Sequence, residues 1–154
     1  MKKEVSDEFN KNCGEILRLG VALDEYIEQF ILNYFSSTSV KRNFFFKENI
    51  LMPMSFERKK HLFQKICRLE DWDCTFVFQD IGFVQNIRNK VAHDLAFMYD
   101  EDIWVGKVGK GKFISEKEKN IQVNSKLVEE VRAKNQVIAT TIMKLMNKNS
   151  PDRI

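Results

Sequence analysis

A chain of 154 residues can bury one sizeable core but not two comfortable ones, so a single domain over residues 1–154 is expected. Apolar residues at 44% and charged residues at 31% exclude a disordered chain and a membrane bundle, and a net charge of +3 is less than a strongly basic nucleic-acid binder carries. The opening Met-Lys-Lys-Glu-Val-Ser-Asp-Glu has no apolar stretch behind its lysines, and no later run approaches the ~20 residues a bilayer requires, so a cytoplasmic protein with no membrane partner is expected.

From Ser6 to Phe35, residues such as Phe9, Ile16, Leu19, Leu23, Ile27, Phe30 and Tyr34 recur at three- and four-residue spacing, which predicts one long amphipathic helix with Gly14 or Gly20 as possible bends. Ser36-Ser37-Thr38-Ser39 ends it. Between Asn43 and Met54 the triplet Phe44-Phe45-Phe46 and then Ile50-Leu51 read as buried, irregular chain, with Pro53 opposing a helix. Ser55 caps a second helix whose apolar face carries Phe56, Leu62, Phe63, Ile66, Cys67 and Leu69. Its other face, with Arg58, Lys59, Lys60, His61, Lys65 and Arg68, is either a solvated surface or a phosphate contact. The thirteen phenylalanines imply a ring-rich core or an apolar surface kept for a partner.

A third helix is predicted from Phe76 to Phe97. Beyond it, Ile103-Trp104-Val105 and Lys112-Phe113-Ile114 flank the turn 106–111 and read as a β-hairpin. A last helix begins at Asn124 or Ser125 and runs to about Asn147, before Ser150-Pro151. The expected fold is therefore all-α, an antiparallel four-helix bundle with a small β-hairpin before the last helix. Cys13, Cys67 and Cys74 form no C-x-x-C pair and have no histidine at metal-ligand spacing, so they read as reduced thiols; neither a metal nor another cofactor is expected.

At about 100° per residue, Phe83, Val84, Ile87, Val91 and Leu95 of the third helix share one arc and form its core face. Gln85, Asn86, Asn89, Lys90 and His93 lie opposite, with Arg88 at the margin about 140° from His93. Gly82 falls among the polar residues, where a second backbone can approach closely. Histidine exchanges protons near neutral pH, and a guanidinium is a fixed donor for a phosphate gaining charge. One helix supplies both.

The segment from Asp80 to Asp94, with its core Arg88-Asn89-Lys90-Val91-Ala92-His93, resembles the HEPN superfamily signature of an arginine, a polar residue, and a histidine after a short gap. The Arg-Asn-x-x-Ala-His form is frequent among abortive-infection-like proteins and in the mannitol operon repressor family. Toxins paired with a nucleotidyltransferase antitoxin often carry a tyrosine two residues after the histidine; here that position is Leu95.

The resemblance implies a HEPN-like helical bundle and a metal-independent endoribonuclease acting as a homodimer, a toxin or an anti-phage effector, with RNA as substrate and an antitoxin or regulatory protein as a possible partner. In that reading His93 is the general base or acid, Arg88 stabilises the phosphorane-like transition state, and Asn89 orients His93 or the phosphate. Asn86 and Lys90, together with Lys107, Lys110 and Lys112 on the hairpin tip, are the candidate RNA contacts. The alternative is a non-catalytic helical dimer of the mannitol-repressor kind that binds a protein partner and can tolerate Arg88 and His93 being engaged internally, for example by Asp80 or Asp94.

Overall fold

The computed structural model describes residues 3–99, 102–106 and 120–149. Among them the chain is mostly helical: α1 (Lys3–Phe35), α2 (Val40–Phe46) running into a π-turn (Lys47–Leu51), α3 (Phe56–Leu69), α4 (Thr75–His93) and α5 (Ser125–Asn149). Strands β1 (Leu95–Tyr99), β2 (Asp102–Gly106) and β3 (Ile121–Gln122) stand between α4 and α5. No described helix is long and apolar enough to cross a membrane.

The described residues gather into two compact units, and α1, α4 and α5 each give one segment to either. One unit takes α1 up to Val21, α4 from Asp80, the strands, and α5 up to Asn135. Its core is aliphatic, with Ile16, Leu19, Ile81, Val84, Ile87, Val105 and Val131 buried. Here α1 and α5 run in the same direction, because their contacts advance together. Ser125 donates to Glu8 at 3.1 Å, Arg132 to Glu15 at 2.8 Å, and the Asn135 amide to the Leu19 carbonyl at 2.7 Å.

The other unit takes residues Ala22–Gln79 and the described part of Gln136–Ile154. Its core is built on rings: Phe30 meets Phe63 at 4.4 Å between centroids, Phe63 meets Phe78 at 5.0 Å, and Trp72 presents an edge to Phe30 at 6.3 Å. Again α1 and α3 advance together, through Asp24 with Lys59, Phe30 with Phe63, and Tyr34 with Glu70. By contrast α3 and α4 oppose each other, Phe63 facing Phe78 and Cys67 facing Cys74. An antiparallel arrangement throughout is thus corrected. The stretch 36–55 is long enough to carry the chain back to the starting end of α1, whereas residues 70–74 can only reverse it.

Three local expectations also change. Residues 40–46 are helical because Ser39 accepts from the Arg42 N–H and caps them, and Phe44 and Phe45 are exposed at 66% and 63% rather than buried. The third helix stops at His93, and Leu95 opens β1 opposite Gly106 instead of continuing the helical stripe. Strand β2 pairs back onto β1, with Phe97 opposite Trp104, and forward onto β3, with Val105 opposite Ile121. The small antiparallel hairpin before the last helix is therefore present one strand earlier than expected, and the predicted arm 112–114 lies outside the described residues. The caps are where the sequence puts them: Ser55 accepts from the Arg58 N–H, and Asn124 from the Leu127 N–H.

Candidate functional site

The last two turns of α4 carry the predicted residues. Ile81, Val84 and Ile87 are buried on one arc, which fixes the rotation of the helix and turns Asn86, Asn89 and His93 outward, all three exposed. His93 is the final helical residue; the next N–H, that of Asp94, closes onto the Lys90 carbonyl at 2.9 Å. Five residues separate Arg88 from His93, an axial rise of about 7.5 Å. No hydrogen bond or ion pair among the described residues occupies the His93 ring.

Arg88 is held from two sides. Its aliphatic stem lies across Gly20 of α1, where a Cβ would stand 2.5 Å from Arg88 Cγ and 3.3 Å from Cβ. Only glycine leaves room for the arginine to cross the α1 backbone. At the other end, Arg88 Nη1 donates to Asn89 Oδ1 at 3.0 Å. Asn89 thus meets the guanidinium, and no described bond joins it to the imidazole. The seat at Gly20 is not legible in the motif, although a glycine inside an otherwise regular helical stripe was a signal for it. Gly82, by comparison, is exposed with nothing within 4 Å of where its Cβ would be.

The acids offered as internal partners are differently disposed. Asp80 accepts from Lys134 Nζ at 2.7 Å, and the same ammonium sits 5.1 Å from the Phe83 ring centre. Asp94 is half-buried beside His93 without a described hydrogen bond between their side chains. Lys90 is half-buried in the last turn of α4. Lys107, Lys110 and Lys112 lie outside the described residues.

The basic face proposed for α3 loses a member. Lys59 is 3% exposed, and its ammonium reaches Glu28 at 2.9 Å and Asp24 at 3.0 Å. Burial alone would lower its pKa; the hydrogen bonds that its ammonium donates to Glu28 and Asp24 outweigh that and raise it. Lys59 is thus a buried ion-pair residue rather than a phosphate contact. Among the described residues no three His, Cys, Asp or Glu side chains are grouped to hold a metal ion.

No family model, curated protein or solved structure matches this chain.

Proposed function

We propose that the chain is a HEPN-type endoribonuclease that works without a metal ion, as a homodimer with a HEPN-like helical bundle, in the manner of a toxin or an anti-phage effector. The observation that supports this reading is an exposed His93, without a bond among the described residues, one and a half turns from an arginine whose stem is seated on Gly20 and whose head is aimed by Asn89. The 2′-hydroxyl of RNA attacks the adjacent phosphorus while His93 moves the proton at the attacking or the leaving oxygen. Arg88 carries the charge that builds on the equatorial oxygens, and its fixed posture means little reorganisation as that charge develops.

A non-catalytic regulator can tolerate Arg88 and His93 being engaged within the fold. Lys134 takes Asp80, which removes one of the two acids that could serve that purpose. Homodimerisation rests on the open polar face around Gly82, Asn86 and Asn89, where a second α4 can approach. Light scattering at micromolar concentration should report a dimer, and a strict monomer would remove the composite groove. For the activity itself, purified protein is incubated with total RNA in EDTA. Wild type should degrade the RNA and His93→Ala should not; loss of all cleavage on adding chelator would overturn the proposal.

A further inference from the structure

The turn between α3 and α4 brings two buried thiols together. Helix α3 closes with Asp71 at φ 54°; the Asp71 N–H donates to the Arg68 carbonyl at 3.3 Å and the Trp72 N–H to the Cys67 carbonyl at 2.8 Å. This is a Schellman closure, and it reverses the chain within a few residues. Asp73 then accepts from the Thr75 N–H and hydroxyl at 3.1 and 2.9 Å and starts α4. Cys74 is thereby folded back over Cys67, its thiol donating to the Cys67 sulfur at 2.9 Å, with both residues buried.

A disulfide requires the sulfurs to approach to about 2.05 Å, so roughly 0.9 Å of closure is left. Because backbone hydrogen bonds on both sides of the turn hold the pair, the second thiol is at hand as soon as the first is oxidised. Beside them is a half-open recess of about 180 Å³ bounded by Cys67, Cys74, Trp72 and Phe78. It suits a small oxidant better than a peptide disulfide, since drug-sized ligands occupy ~300 Å³ or more.

We propose that Cys67 and Cys74 form a dithiol that hydrogen peroxide oxidises to a disulfide, fastening α3 to α4. Burial pushes both thiols up; the bond to Cys74 raises Cys67 further, while Cys74 stays raised despite the bond to Cys67, with the Asp73 charge raising it and the Lys148 charge lowering it. Cys74 reacts first. Its sulfur takes one peroxide oxygen, the O–O bond breaks, and the departing hydroxide leaves as water with the Cys74 proton, giving a sulfenic acid. The Cys67 sulfur then attacks Cys74 Sγ and displaces that hydroxyl, which leaves as water with the Cys67 proton. Two thiols are oxidised, one peroxide is reduced, and two waters form.

The test uses the native full-length chain treated with equimolar hydrogen peroxide, alkylated under non-reducing conditions and digested with trypsin. Cleavage after Arg68 separates the two cysteines, so residues 66–68 and 69–88 should be recovered joined, and dithiothreitol should release them. Cys13 should be alkylated as in the untreated protein. In Cys67→Ser the sulfenic acid on Cys74 has no thiol to resolve it and should be labelled by dimedone. Recovery of both peptides individually alkylated after peroxide would overturn the dithiol. Dimedone labelling of Cys67 in Cys74→Ser, with none of Cys74 in Cys67→Ser, would overturn the order of attack.

Discussion

At its first turn α4 is closed toward α3: the Cys74 thiol bonds to Cys67, Asp73 is occupied by Thr75, and Val77 is buried behind them, while Thr75 and Phe76 stay exposed. At its last turn the same helix presents Asn89 and His93 to solvent and an arginine whose stem is packed but whose head is only steered. Residues at the closed end hold the fold. Those at the open end contribute little to it, which is the condition under which polar side chains are available for a ligand.

Substitutions at the two ends should therefore separate stability from activity. The largest effect belongs to the ring core of the closed end. Phe63→Ala, removing a fully buried ring packed on Phe30 and Phe78, should cost about 3–5 kcal/mol in denaturant unfolding. At the open end Arg88→Ala and His93→Ala should each lower RNA cleavage by on the order of 100-fold or more, equivalent to about 2.7 kcal/mol of barrier, with the His93 variant unfolding within about 0.5 kcal/mol of wild type. Arg88→Lys should rescue poorly, because an ammonium lacks the planar fork that Asn89 aligns. Equal loss of stability and activity at His93 would erase the contrast between the ends.

A smaller effect tests how Arg88 is seated. Gly20→Ala favours helix by about 0.5–1 kcal/mol in isolation, yet its Cβ meets Arg88 Cγ at 2.5 Å. Cleavage should fall by about 10-fold while thermal stability changes little; unchanged cleavage would show that the Arg88 posture is not needed. The smallest effect lies at the α1–α5 contact. Hydrogen bonds from Arg18 and Arg132 depress the Glu15 pKa to about 2, so its folded value lies below its unfolded one. The stabilisation is present above the ordinary value of 4.5 and is lost as pH falls through 2. Glu15→Gln should cost about 0.5–1 kcal/mol at pH 7, allowing for solvent screening. The difference from wild type should fade between pH 4.5 and 2 in urea titrations.

Helical periodicity made α1, α3, α4 and α5 legible because each buries one stripe, and Ser55 and Asn124 marked two starts through their capping oxygens. Residues 95–97 misled because Leu-Ala-Phe extends the α4 pattern, while pairing with Trp104, Val105 and Gly106 decides for strand. Helix directions were not legible at all. They depend on which residues meet across the chain, such as Lys59 with Asp24 and Asn135 with Leu19, and periodicity carries no such information. At the candidate site the outward arc of Asn86, Asn89 and His93 follows from the helix wheel, whereas the Gly20 seat and the capture of Asp80 by Lys134 are tertiary contacts.

The central claim, that Arg88 and His93 drive attack by an RNA 2′-hydroxyl, is tested most directly on the products of a defined oligonucleotide cleaved in EDTA. The expected products carry 2′,3′-cyclic phosphate and 5′-hydroxyl ends, and a single 2′-deoxy substitution at the cut site should block cleavage. Cleavage that persists at the 2′-deoxy position, or that the Arg88→Ala and His93→Ala variants both retain, would contradict it.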